Sequence, residues 1–211
     1  MGFWDWLRPK PKSVVETDLI WLTKTAKLAG LAVEVKSGEH SFVLAHFPST
    51  LREVQEAFAA IGLEGERIEG PIKPADYLKS ARPGTNFALV RQLQVDDPKE
   101  ATEGDPIRLF VAERHFLRSH DERVNQFAES LGRPIGLMFF LAMDEPLMRV
   151  FAGDWVSNVL RNLGQKETEA LQSAMVERRV KAAQAKFAER AGSDEPAESP
   201  EEWLERNGVT L

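Results

Sequence analysis

IGLMFFLAMDEP, residues 135–146, runs from an unbroken apolar stretch into two acids and a proline. A continuously apolar run of this length marks a strand buried on both faces, and such strands lie inside parallel sheets covered by helices. Working outward, the flanking chain keeps that alternation. DLIWLT (18–23), HSFVLAHF (40–47), NFALVRQLQV (86–95) and IRLFVAER (107–114) read as strands by length and by β-branched or aromatic content. Between them, residues 24–35, 49–62, 119–132 and 146–164 carry helical spacing. Thr50 and Glu53 form a capping-box pattern, Leu51, Val54, Phe58 and Ile61 share one face, and Gly62 is the expected stop. Pro146 and Gly164 bracket the last of these helices. Residues 64–86 read as a long loop with one short helical turn, and 96–106 as an acidic loop. The pattern predicts a three-layer α/β domain over residues 14–164.

Both ends differ from the middle. Residues 1–13 form an aromatic, basic arm, in which Trp4 and Trp6 precede Arg8, Lys10 and Lys12. Tryptophan beside basic residues suits peripheral contact with a membrane surface, and docking on the domain explains the arm as well. Residues 165–192 read as a C-terminal helix whose stripe is Val176, Val180, Ala183 and Phe187. An acidic linker and short terminal helix fill 193–211. There Ser199 is the expected N-cap, Pro200 the first helical residue, Glu202 the partner in a capping box and Gly208 the stop. Trp203 and Leu204 are its apolar grip, on the chain's own body or on a partner. Val176, Val180, Phe187, Trp203 and Leu204 are therefore the candidate partner-binding residues.

Composition narrows the chemistry. The 211 residues carry a net charge of −6, which gives no general attraction to nucleic acid. There is no cysteine, so disulfides, thiolate metal sites and cysteine nucleophiles are excluded. No apolar run reaches bilayer-spanning length and the amino terminus lacks a secretory apolar core, so the cytoplasm is the expected location. No G-x-x-x-x-G-K-[ST] loop occurs. Glu113, His115, His120 and Asp121 place acids around two histidines, but their spacing fits no metal-ligand pattern. His46, Ser49 and Thr50 at a strand-to-helix turn invite a nucleophile or anion-site reading, and a capped helix explains them equally. Asp144 and Glu145 read as acids favouring the N-terminus of the helix that begins at Pro146.

Several blocks resemble one family. ERHFLRSHD (113–121) is similar to E-R-H-E-S-R-R-I-D, FFLAMDEPLMRVF (139–151) to F-Y-L-S-M-E-D-x-L-M-R-I-F, and AGDWVSNVLRNLG (152–164) to A-S-D-R-V-S-x-x-x-x-x-L-G. EALQSAMVERRVKAAQAK (169–186) is similar to E-A-I-x-x-x-M-V-x-x-x-I-x-x-A-Q-R-K. These motifs belong to the second nucleotide-binding domain of the SecA preprotein-translocase ATPase, a RecA-like domain of helicase type. Residues 40–64 resemble the same domain in outline. The resemblance implies a RecA-like fold and a link to protein export. It also shows a departure. Where the family has Q-L-R-G-R-x-G-R-Q-G-D, the three arginine positions hold Asn125, Phe127 and Ser130. Where it has T-N-M-A-G-R-G-T-D, this chain has ALVRQLQVDDP (88–98). Arginine binds phosphate oxygens through a rigid charged fork, which none of the three replacements supplies.

The expectation is thus a catalytically inactive SecA-like domain acting as a protein-interaction or regulatory module, with no cofactor and no metal. The second reading is a nucleotide-binding module that completes an ATPase site in trans, with Arg91, Arg114, Arg118 and Arg133 as the phosphate-contact candidates.

Overall fold

The computed structural model describes residues 14–38, 40–80, 84–102, 104–150, 161–162 and 164–209. The aromatic arm and most of the expected 146–164 helix lie outside them, although residues 146–150 are helical. Six strands make one sheet: β1 (Val14–Trp21), β2 (His40–Ala45), β3 (Gly65–Arg67), β4 (Gly84–Leu89), β5 (Ile107–Val111) and β6 (Ile135–Ala142). Their order is β1-β6-β5-β2-β4-β3, and every pairing is parallel. The apolar run at 135–142, β6, lies between β1 and β5, with Ile135 opposite both Val14 and Ile107.

Helices cover both faces. Successive β2 side chains point to opposite sides, so Phe42 and Leu44 join one core cluster while Val43 and Ala45 join the other. The first cluster packs under α3 (Pro74–Ser80) and α4 (Arg118–Ser130), where Tyr77, Val124, Phe127 and Ala128 lie. The second packs under α1 (Lys24–Lys36) and α2 (Pro48–Ala59), through Leu31, Val35, Leu51, Val54 and Phe58. This is the three-layer α/β architecture expected, a parallel sheet flanked by helices.

Some boundaries moved. The first strand starts at Val14, because pairing with β6 extends it beyond its apolar half. The expected 86–95 strand stops at Leu89 and turns through a 3-10 segment, Val90–Gln92. Gln92 forces that turn: its amide oxygen accepts the Leu89 N–H at 2.7 Å and its Nε2 donates to the Ile68 and Gly70 carbonyls at 2.9 Å. The 64–86 loop contains β3 and α3. Gly62, Gly132 and Gly208 hold positive φ at the ends of three helices, where a side chain would be strained.

The C-terminal helix α5 spans Ala174–Arg190, shorter than expected, and α6 spans Pro200–Arg206. Ahead of α5, Leu171 exchanges two backbone hydrogen bonds with Ile20, at 3.0 and 2.8 Å, on the edge strand β1. Ser199 caps α6 as expected, accepting the Glu202 N–H at 3.2 Å. A third core cluster then joins α5 and α6 to the loops after the strands: Phe187, Trp203 and Leu204 pack with Phe47, Phe116, Met143 and Leu147.

Candidate functional site

In an all-parallel sheet the C-terminal ends of the strands share one edge. Open α/β sheets bind their ligands at that edge. Here it gathers the loops after β2, β5 and β6 and the N-termini of α1, α2 and α4. Glu113, just past β5, is buried and accepts the His46 and Phe47 N–H groups at 3.0 Å and the Thr50 hydroxyl at 2.6 Å. Burial pushes its pKa up to about 7 against those hydrogen bonds and nearby Lys27. Glu113 thus does for α2 what the local capping box was expected to do. Thr50 is spent on Glu113, and Glu53 instead pairs with Lys24 at 2.6 Å. The α2 helix begins at Pro48 with no side-chain cap of its own.

Asp144 and Glu145 also serve different partners from those expected. Asp144 Oδ1 accepts the Lys24 N–H at 2.8 Å, so it caps α1 rather than its own helix. Glu145 accepts the Ala142 N–H at 2.9 Å and pairs with Lys27, a fully buried lysine that also donates to the Ala112 carbonyl at 2.6 Å. Burial raises the pKa of Glu145, with Lys27 opposing. Between these groups lies a cavity of about 30 Å³, room for one water, lined by Lys24, Thr50, Glu113 and Glu145 and by Pro200 and Glu201 of the tail.

Arg114 is the centre of a second network. Its guanidinium bonds Asp18 Oδ1 at 2.6 and 3.0 Å, Asp121 Oδ2 at 3.1 Å and Glu16, and it lies 3.8 Å over the Phe139 ring. Burial works against its charge, but Asp121, Asp18 and Glu16 hold it firmly protonated. In turn, burial would raise the pKa of Asp121, but contacts with His46, Arg114 and the His115 N–H hold it down at about 2. Arg114 therefore ties β1, β5 and α4 together and has no free edge for a phosphate.

Three histidines cluster beside it, their rings tilted or edge-on to one another. The His115 and His120 rings are 3.8 Å apart between centroids, and His46 and His115 are 5.3 Å apart. Burial lowers the pKa of His46, despite Asp121 at 3.0 Å, and lowers that of His115 well below the ordinary value. Both are neutral near pH 7. The sequence cluster of Glu113, His115, His120 and Asp121 separates: the two acids face Thr50 and Arg114, while His120 meets Asp194 of the tail at 2.8 Å. His115, His120 and Asp194 are close enough to share a cation. His115 does not fit that role. Its Nδ1 accepts the Leu117 N–H at 3.0 Å, which fixes the ring proton on Nε2, the atom left to face a metal.

The four arginine candidates do not converge. Arg91 is exposed past β4, Arg118 is exposed and pairs with Glu122 at 2.9 Å, and Arg114 is enclosed. Arg133 precedes β6, at the opposite edge of the sheet, and donates to the Asp105 carbonyl at 2.9 Å. At the three positions where the resemblance called for arginine, Phe127 and Ser130 are fully buried and Asn125 donates to Glu16 at 3.0 Å. The partner-binding candidates sit within the third core cluster or against it. Val180, Phe187, Trp203 and Leu204 are buried against the chain's own body and Val176 is half-buried, because the loops after the strands offer an apolar bed of Phe47, Phe116 and Leu147. The tail lies over the strand-end edge. The Glu198 carbonyl accepts the Ser49 N–H at 3.0 Å, at the α2 N-terminus, and its carboxylate pairs with Arg52 at 2.8 Å. Sequence reasoning missed Glu16, Asp18, Lys27, Gln184 and Asp194. The available signals were a lysine among the apolar positions of α1 and a glutamine on the buried stripe of α5. Gln184 donates to the His115 carbonyl at 2.8 Å and to Asp121 at 2.7 Å.

No family model matches the chain. A stretch of 109 residues is 44% identical to protein translocase subunit SecA 1 of Rhodopirellula baltica, covering 49% of this chain and 9% of that protein. Protein translocase subunit SecA of Rickettsia akari is 37% identical over 91 residues, 43% of this chain and 10% of that one. That of Rickettsia felis is 34% identical over 102 residues, 48% and 11%. The matched part thus spans about a tenth of the length of these curated relatives. Among solved structures, the E. coli DEAD-box protein SrmB bound to regulator of ribonuclease activity A aligns with a TM-score of 0.41 at 16% identity, over 70% of this chain and 87% of that one. The C-terminal part of the Fun30 ATPase domain aligns with a TM-score of 0.41 at 8% identity, over 77% and 54%. About half of this chain is related in sequence to SecA, as its motifs led one to expect.

Proposed function

We propose that this chain is a SecA-related, RecA-like domain that does not itself hydrolyse ATP and works as a protein-interaction module in the setting of protein translocation, in the cytoplasm. The observation that carries the proposal is the state of the strand-end edge. Its enclosed arginine, Arg114, is saturated by three carboxylates. The positions that the resemblance assigns to phosphate-binding arginines face the core or Glu16. The tail's own carbonyl occupies the α2 N-terminus, where an anion would otherwise be favoured. The translocation setting comes from the SecA relatives, of which the chain matches only a part.

The test is thermal unfolding with and without millimolar Mg·ATP or Mg·ADP, alongside a phosphate-release assay. A nucleotide at about a hundred times its Kd adds ~2.7 kcal/mol, which moves Tm by about 5–10 °C at this chain length. The expected result is no shift and no phosphate release above a heat-inactivated control. A nucleotide shift without turnover would replace this reading with the module that completes a site in trans. Turnover abolished by a point substitution at the strand-end edge would overturn the inactive-domain reading outright.

A further inference from the structure

One face of α5 is buried through Val180, Gln184 and Phe187, and the next face is open. On it Met175 is 59% exposed, and Arg179, Ala182, Lys186 and Arg190 are all exposed. Their spacing places them in one row along the helix. Beside that row a groove of about 380 Å³ runs between α5 and the chain after α6, floored by Ala182, Ala183, Phe187, Ala191 and Val209 and bounded by the 37% exposed Val150. Arg179, Lys186 and Arg190 line it, and none of the three has an ion pair among the described residues. The other α5 cations are engaged: Lys181 pairs with Glu177 at 2.5 Å and Arg178 donates to the Ala174 carbonyl at 3.2 Å. A row of unpaired cations beside an apolar floor stands out on a chain of net charge −6.

We infer that this groove is a docking site for an acidic amphipathic helix of another protein. The inference rests on the interaction-module reading and names its surface. Three features choose the occupant. The cations call for carboxylates of opposite sign along the whole row. The floor calls for apolar anchors at one-turn spacing between those carboxylates, the helix-in-groove mode of recognition. Ala182 and Ala183 leave room for a second helix axis to approach α5 closely, about 8–10 Å away. At 17 residues, α5 offers a track of about 25 Å, three to five turns of partner. The apolar floor and the small number of cations argue against nucleic acid, whose backbone would be met by a wider basic surface.

The probe is a fluorescein-labelled 20-residue helical peptide with leucine at i, i+4, i+7 and i+11 and glutamate on the flanking positions. Its counterpart carries lysine for every glutamate. Both are titrated by anisotropy against the full chain and against R179E/K186E/R190E, whose exposed sites leave the fold intact by circular dichroism. The expected result is saturable micromolar binding of the acidic peptide to the parent chain, weakened at least about tenfold by the triple substitution and several-fold by raising salt from 50 to 300 mM, with no binding of the lysine peptide. Equal binding to the triple variant, or no saturation at millimolar peptide, overturns the inference. So does tighter binding of a 20-nucleotide single-stranded RNA, or a dimer of this chain, seen by sedimentation, that the triple substitution dissolves. A chain that hydrolyses ATP yet binds the peptide would remove the inactive-domain reading and leave the groove. A chain inert to nucleotide whose peptide binding ignores the triple substitution would do the reverse.

Discussion

Replacing Trp203 by alanine tests whether the tail belongs to the core. Trp203 is 1% exposed. It stacks on Phe116 at 4.8 Å with the rings 12° from parallel, and meets Phe187 and His115 edge-on at 6.0 and 5.5 Å. An indole buries about 200 Å², worth ~5 kcal/mol at about 25 cal/mol per Å². Large-to-small aromatic substitutions in cores lose about 3–5 kcal/mol in practice. One offset applies: the Trp203 Nε1–H is buried with no hydrogen-bond partner among the described residues, so removing it relieves ~1 kcal/mol. The expected loss is therefore about 3 kcal/mol, read as a lower urea midpoint with an unchanged slope, and as a Tm lower by about 6–12 °C. Phenylalanine at the same position should recover most of it, since it keeps the stack on Phe116. A loss below about 1 kcal/mol would contradict this assignment of Trp203 to the core. It would mean that the tail hardly contributes to folding and that Trp203 is free for a partner, the destination the sequence had left open.

Three further outcomes follow from the buried polar groups and caps. Arg114→Met should cost about 3–5 kcal/mol in urea unfolding, because it leaves Asp18, Asp121 and Glu16 without their cation; a cost under 1 kcal/mol would show that the carboxylates find other partners. Glu113→Gln should steepen the loss of stability on acidification. His46 and His115 have lowered pKa values, so below about 6.5 the unfolded chain binds the extra protons and stability falls. Glu113 works the other way: with a folded pKa of about 7 against a reference of 4.5, the folded state binds the proton between those values and gains stability as pH falls. Removing it should add about one proton, ~1.4 kcal/mol per pH unit, to the slope between pH 6.5 and 5, and an unchanged slope would contradict the assignment. Ser199→Ala should cost ~1 kcal/mol by removing the α6 cap, with Asp at the same position restoring it; equal stability of all three chains would mean that the cap does not matter.

The sequence alone determined the layered α/β frame, because its signals are local. A continuously apolar strand at 135–142, helical spacing on each side of it, glycines at helix ends and a serine-proline start at 199–200 each state their role within a few residues. The SecA-related blocks were legible for the same reason. What the sequence did not settle was which side chain answers which. Asp144 caps α1 across the sheet instead of its own helix, Glu113 caps α2 in place of Glu53, and Asp194 of the tail, not Asp121, meets His120. Each of these pairings spans dozens of residues and depends on the parallel order β1-β6-β5-β2, which brings distant loops to one edge. The fate of Trp203 was decided the same way. Its short helix was readable, but only the folded sheet supplies the apolar bed of Phe47, Phe116 and Leu147 that turns a sequence free to dock anywhere into part of its own core.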